Sequence, residues 1–178
     1  MTSELVTRLR VLLGETGNAG LFDLHSLFDS LQRDPSKIRE ALQAWRVVEP
    51  AATAFAAGRI TKLGLRRLDR LCGAYEAAKL PEARARLDHD FHRCVVEFAD
   101  NRFLARTHAE AGESLRGLRL FRSVWKPHGE NAVADDHREI VAALVRRDEE
   151  LASARALAHV AVAERWLSDA QDWLAGQG

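Results

Sequence analysis

Residues 81–99, PEARARLDHDFHRCVVEFA, decide how the rest of the chain is read. Proline suits the first turn of a helix, where its missing N–H would have no partner in any case, so Pro81 reads as a helix start. Beyond it the apolar residues recur at spacings of three and four and never alternate, which is the period of a helix with one buried face. Asp88 and His92 stand four residues apart in this segment. Both therefore project from the same face, one turn apart, while Asp90 points elsewhere.

The same period continues on either side. Downstream, one helix is expected over residues 102–124, and Lys126-Pro127-His128-Gly129 breaks the chain. Asp135 or Asp136 then opens a helix to about Val145, and Asp148 caps a long last helix toward Trp173. Upstream, Thr61 caps a helix whose Leu65, Leu68, Cys72 and Tyr75 form one apolar stripe. Asp34-Pro35 opens a helix through Trp45 to Arg59, and Pro50 inside it predicts a kink near Glu49. Residues 21–31 read as a short helix. Residues 4–13 read as another, ended by Gly14 and the Gly17-Asn18-Ala19-Gly20 run. The expected fold is all-α, an antiparallel bundle of about six to seven helices.

Composition bounds the function. The 178 residues carry 26 basic and 26 acidic side chains, so the molecule as a whole lacks the positive excess that gathers phosphate polymers. Apolar residues at 47% and charged residues at 29% fit an ordinary globular core. The only cysteines, Cys72 and Cys94, lie in separate apolar helical runs with no second cysteine at ligand spacing, and read as buried reduced thiols. With no signal-like opening and no apolar run long enough for a bilayer, a cytoplasmic location without membrane contact is expected. No phosphate-cradling glycine loop and no nucleophile elbow occur.

The chemistry sits in histidines and one carboxylate. An Asp-x3-His pair alone is weakly specific. His137, ahead of Ile140, Val141 and Leu144, and His159, behind Ala152, Ala156 and Ala158, fall on two later helices among apolar neighbours. Each, taken singly, reads as a core histidine bonded to a carbonyl or carboxylate. Together with Asp88 and His92 they make an open coordination set suited to zinc, nickel or another borderline divalent metal.

In order and spacing, Leu87-Asp88-His89-Asp90-Phe91-His92, Ala99-Asp100-Asn101, Asp136-His137-Arg138-Glu139-Ile140, Arg147-Asp148 and Ala158-His159 resemble the FCD effector-binding domain of GntR-family transcription regulators. Trp45-Arg46-Val47-Val48-Glu49-Pro50 and Ala56-Ala57-Gly58-Arg59-Ile60-Thr61 are similar to that family's opening helix. The resemblance runs over residues 42–163, about two thirds of the chain. It implies a divalent metal, zinc foremost, on Asp88, His92, His137 and His159, a small carboxylate effector, and a homodimer. Arg46 matches a family arginine that faces the cavity, where its rationale is a bidentate grip on a carboxylate; the alternative is that it pairs with Glu49 or a helix end. Arg122 is a second ligand-binding candidate. Asn101 reads as a helix cap.

The chain departs from the family ahead of this region. Roughly forty residues precede Arg46, which leaves no room for a complete winged helix-turn-helix. Residues 23–31 and 34–42 superficially resemble two helices of such a reader. Residues 1–45, however, hold five basic and six acidic side chains, a poor match to phosphate contacts. Residues 1–41 are therefore expected to be a short helical leading segment and residues 42–178 the ligand-binding domain, with DNA binding only if a reader is supplied elsewhere. Two other classes compete. A metal-dependent hydrolase or lyase needs a general base, for which His89 and Asp90 lie on the wrong face. A structural interaction module needs only core histidines.

Overall fold

The computed structural model describes residues 18–124 and 132–176. They form eight helices: α1 (Asn18–Arg33), α2 (Pro35–Arg59), α3 (Lys62–Ala77), α4 (Pro81–Phe98), α5 (Arg102–Ser114), α6 (Arg116–Val124), α7 (Ala132–Arg146) and α8 (Glu149–Ala175). The all-α expectation holds. The helix expected over residues 4–13 and the Lys126-Pro127-His128-Gly129 breaker lie outside the described residues, as does Trp125. Among the described residues, no helix is long and apolar enough to cross a membrane.

Local sequence sets most boundaries. Pro35 and Pro81 each occupy a first turn. Thr61 accepts the Gly64 amide at 3.1 Å, Asn101 the Phe103 and Leu104 amides at 3.0 and 3.2 Å, and Asp148 the Leu151 amide at 2.9 Å, so three helices begin on side-chain caps. Asp100 and Arg147 take the left-handed backbone, φ 49° and 54°, at the turns after α4 and α7.

The described part of α1 already includes Asn18, Ala19 and Gly20, so that end of the glycine-rich run is helical. Two expectations need correction. The single helix foreseen over residues 102–124 is two, broken at Leu115, whose amide is shared between the Ala111 and Gly112 carbonyls at 3.2 Å each; Gly112 and Gly117 flank the break and weaken helix continuity. Finally, α7 starts at Ala132, ahead of Asp135.

α2 is the central helix and packs most extensively on α8, then on α5 and α4. Ala52, Ala56 and Ala57 of α2 and Ala152, Ala156, Ala163 and Ala170 of α8 are all buried, and such small side chains let two helix backbones approach closely. One apolar cluster gathers Leu24, Phe28, Ile38, Trp45, Phe121 and Trp166. A second gathers Ile60, Leu68, Cys72, Phe91, Ile140 and Leu144. Arg147 joins α2 to α7 by donating to the Ala57, Gly58 and Ile60 carbonyls at 3.4, 3.1 and 2.9 Å, which satisfies the carbonyl end of α2.

α1 lies on α6 at Gly117, where an added Cβ would collide with the Asp23 carbonyl and lie 2.6 Å from Leu27 Cβ. Gly117→Ala is expected to lower stability by about 1–3 kcal/mol through overpacking, measured by urea unfolding. An unchanged midpoint would mean that α1 does not dock there in solution.

Candidate metal and effector site

Three helices converge between the two apolar clusters. α4 contributes Asp88 and His92, α7 contributes His137 and α8 contributes His159, and one donor atom from each lies within 4.8 Å of all the others. All four residues are at most 1% exposed. Phe91 stacks on the His137 ring at 4.0 Å between centroids, and Trp45 meets the His92 ring edge-on at 4.9 Å. The four residues singled out as metal ligands are therefore brought together by the fold.

Outer partners settle which ring nitrogens face inward. His92 Nδ1 lies 2.5 Å from Glu49 Oε1, and His159 Nδ1 lies 3.0 Å from Asp136 Oδ2. Each carboxylate is an acceptor, so each takes an N–H from Nδ1 and leaves Nε2 as the inward atom. The two Nε2 atoms then face each other at 3.2 Å. Two lone pairs at that distance repel unless a cation, a proton or a metal ion, lies between them. His137 Nε2 is 3.3 Å from Asp88 Oδ1, and His92 Nε2 is 3.8 Å from the same oxygen.

Asp88 also meets two buried arginines of α6, Arg119 Nε at 3.1 Å from Oδ2 and Arg122 Nη2 at 3.0 Å from Oδ1. None of these approaches is aligned as a hydrogen bond, so both Asp88 oxygens and both His137 nitrogens lack a hydrogen-bond partner. Buried polar atoms without partners are expensive. A divalent ion would satisfy several of them at once, and the carboxylate-plus-three-imidazole donor set suits one.

The charges follow from these contacts. Burial alone would raise Asp88, but Arg122, then the close approach of His137 and His92, hold it well below the usual carboxylate range. Glu49 would also be raised by burial, and His92 and His108 outweigh that and lower it. Burial would depress His92, yet Glu49 and Asp88 raise it to about 9. Burial dominates at His137, which falls to about 3, and at His159, which is also lowered. The cluster without metal thus holds its proton on His92.

The model of the FCD domain matches residues 40–162. The chain belongs to the FCD-domain family. Among curated proteins none matches it. Among solved structures it is similar to Streptococcus agalactiae GntR, with a TM-score of 0.62 and 22% identity over 76% of this chain. It spans 62% of that protein's length, and at this identity the likeness speaks to the fold alone.

The other expectations for this FCD chain divide. Arg122 lies inside the cluster, 4.3 Å above the Trp166 ring. Arg46 does not: it is 45% exposed and paired with Glu164 of α8 at 3.0 Å. The reason is helical phase. Trp45 and Glu49 share the inward face of α2, and Arg46, one residue on, is turned about 100° away. Asp90 faces outward to Arg93 at 3.1 Å. Asn101 is the cap it was expected to be.

Four residues that contact the buried cluster were not singled out from sequence. Glu49 bridges His92 and, at 3.1 Å, His108 of α5. Its signal was available, since Trp45, Glu49, Ala52, Thr53 and Ala56 trace one helical stripe with a carboxylate in it. Asp136 was legible only as a helix start. Arg119, like Arg122, sits on a helix whose described side chains are nearly all buried, a setting in which an arginine has to find a counter-charge. For His108 no such pattern exists.

Metal-free protein should be acid-labile before its carboxylates titrate. His137 and His159 are neutral when folded and bind protons on unfolding, so stability falls as pH drops from about 6.5 toward 3, by up to about 1.4 kcal/mol per proton per pH unit. His92 has the opposite sign: its contribution is complete below about 6.5 and is lost as pH rises through 9. Urea midpoints of chelator-treated protein across pH 4–9 should peak near neutrality, and a flat profile would contradict the buried placement of these rings.

Proposed function

We propose that this chain is the effector-binding module of a GntR-type transcription regulator. It holds a divalent metal, zinc or a neighbouring transition metal such as nickel, on Asp88, His92, His137 and His159, and a small carboxylate binds there. The observation that carries this reading is the inward convergence of His92 Nε2 and His159 Nε2 at 3.2 Å beside Asp88, with both outer nitrogens already tied to carboxylates. When bound, the metal supplies a Lewis-acidic centre with positions left for a ligand.

Charge supports an anionic effector. Glu49, Asp88 and Asp136 face Arg119 and Arg122 in or around the cluster. A dication added to that set leaves an excess of positive charge in a buried site, and an anion offsets it. Arg122, flat on Trp166 and beside Asp88, is the guanidinium placed to take one carboxylate edge. In the regulator, binding shifts the pose of two subunits and thereby the spacing of the DNA readers they carry. The reader domain, the dimer and the DNA contact all belong to this proposal, as does location in the cytoplasm.

Chelated protein is expected to take up one equivalent of zinc, releasing about one proton at pH 7 because His92 carries one beforehand. Glu49→Gln and Asp136→Asn should each weaken zinc by about 10–100-fold, as outer partners of metal-bound histidines do. Calorimetry in buffers of different ionisation enthalpy reads both quantities. Absence of zinc uptake by folded protein would end the metal reading.

The second test uses ligands. Acetate, lactate and citrate are to be screened by thermal shift on zinc-loaded protein, with stabilisation following affinity. At least one should raise Tm, and Arg122→Lys should lose at least about tenfold in its affinity, since an ammonium cannot make the bidentate contact. Equal binding by the variant would remove Arg122 from the site.

A further inference from the structure

Beyond Arg119, on the side away from the metal ligands, a cleft of about 400 Å³ opens between α1, α4 and the α5–α6 turn. Its wall includes Asp23 of α1, which precedes the residues matched by the FCD model. Two of its acids are engaged, because Arg116 reaches Asp23 at 3.4 Å and Glu113 at 3.3 Å. Two other groups of opposite charge each keep an atom without a hydrogen-bond partner, although Arg119 also pairs through Nε with Asp88 at 3.1 Å. Arg119 is 3% exposed, and Nη1 donates to the Gly112 carbonyl at 2.8 Å while Nη2 has no partner. Glu82, in the first turn of α4, keeps Oε1 buried without a donor. His89 Nδ1 in the same wall is also unpaired. Ala85 and Leu120 supply apolar surface between these groups.

A cleft with one unpaired guanidinium nitrogen, one unpaired carboxylate oxygen and an apolar patch is complementary to a ligand that carries both charges. A simple anion would leave Glu82 without a donor, and a simple amine would leave Arg119 without an acceptor. We infer that the cleft binds a small apolar α-amino acid, with its carboxylate on Arg119, its ammonium on Glu82 and its side chain against Ala85 and Leu120. This site is separate from the proposed metal-bound carboxylate and does not need the metal.

The test is calorimetric titration of the chelator-treated full chain with three matched probes: L-leucine, 4-methylpentanoate, which lacks the ammonium, and 3-methylbutylamine, which lacks the carboxylate. L-Leucine should bind saturably, and each single-charge probe should bind at least about tenfold more weakly. Glu82→Gln, nearly isosteric on a half-buried first turn, should bring L-leucine down to the affinity of 4-methylpentanoate and leave that probe unchanged. Arg119→Lys should weaken L-leucine and 4-methylpentanoate together and spare the amine. No binding of L-leucine by folded protein would overturn the assignment. So would equal binding of leucine and the carboxylate probe, or an unchanged leucine affinity in Glu82→Gln, the result expected if Glu82 merely serves Arg86 one turn along its own helix. Because zinc is absent throughout, the outcome is independent of whether the metal reading stands.

Discussion

A carboxylate with no access to water must be surrounded by positive charge and N–H groups, and the interior of this bundle is organised around that requirement at Asp88. Two arginines reach it from α6, His137 from α7, and His92 from the next turn of its own helix. Deleting one of these partners leaves a buried charge less well compensated, at a cost of about 3–5 kcal/mol. The positions of α4, α6 and α7 are therefore tied to one another through a single side chain. Such clusters seldom stabilise a fold more than apolar residues of the same volume. Their presence in the centre of a domain is better understood as the cost of a site than as a device for stability.

The apolar packing makes that cost bearable. The polar residues lie in a seam between two hydrophobic clusters, with Trp45 and Trp166 on one side and Phe91 and Ile140 on the other. Aromatic rings face the histidines and the guanidiniums, so the charged groups are met by polarisable surface: Arg119 lies 4.9 Å over Trp45 and Arg122 4.3 Å over Trp166. The alanine faces of α2 and α8 bring these two long helices close together. As a result Glu49 of α2 and His159 of α8 both reach the same small volume.

Much of this was legible in the chain before any coordinates. Helical period, Pro35 and Pro81, and the caps at Thr61, Asn101 and Asp148 gave the elements, because these signals act locally. The motif that resembles the FCD pattern picked out Asp88, His92, His137 and His159 together, and the fold brings those four buried side chains within 4.8 Å of one another. Less could be read where a residue's role depends on what lies opposite. Arg46 and Glu49 sit three positions apart in one motif, and only helical phase against a neighbour places one outside and the other inside. The break at Leu115 was missed because Gly112 and Gly117 each carry a modest propensity cost, and their joint effect depends on α1 packing against Gly117.

Arg119 borders both the buried Asp88 cluster and the cleft, so one guanidinium answers to both. Its Nε approaches Asp88 at 3.1 Å and the residue also lines the cleft, so a carboxylate arriving in the cleft competes for the same guanidinium. Given the occupancy inferred for the cleft, drawing Arg119 toward it strips positive charge from Asp88 and makes that carboxylate a stronger ligand for a cation. Linkage then requires the converse, that a cation on Asp88 frees Arg119 for the cleft, by the same factor in affinity. The coupling needs no long pathway, since one side chain of α6 has two alternative partners and each ligand alters the balance between them. α1 supplies Asp23 to the wall of that cleft, and Gly117 is what lets α1 approach α6 so closely.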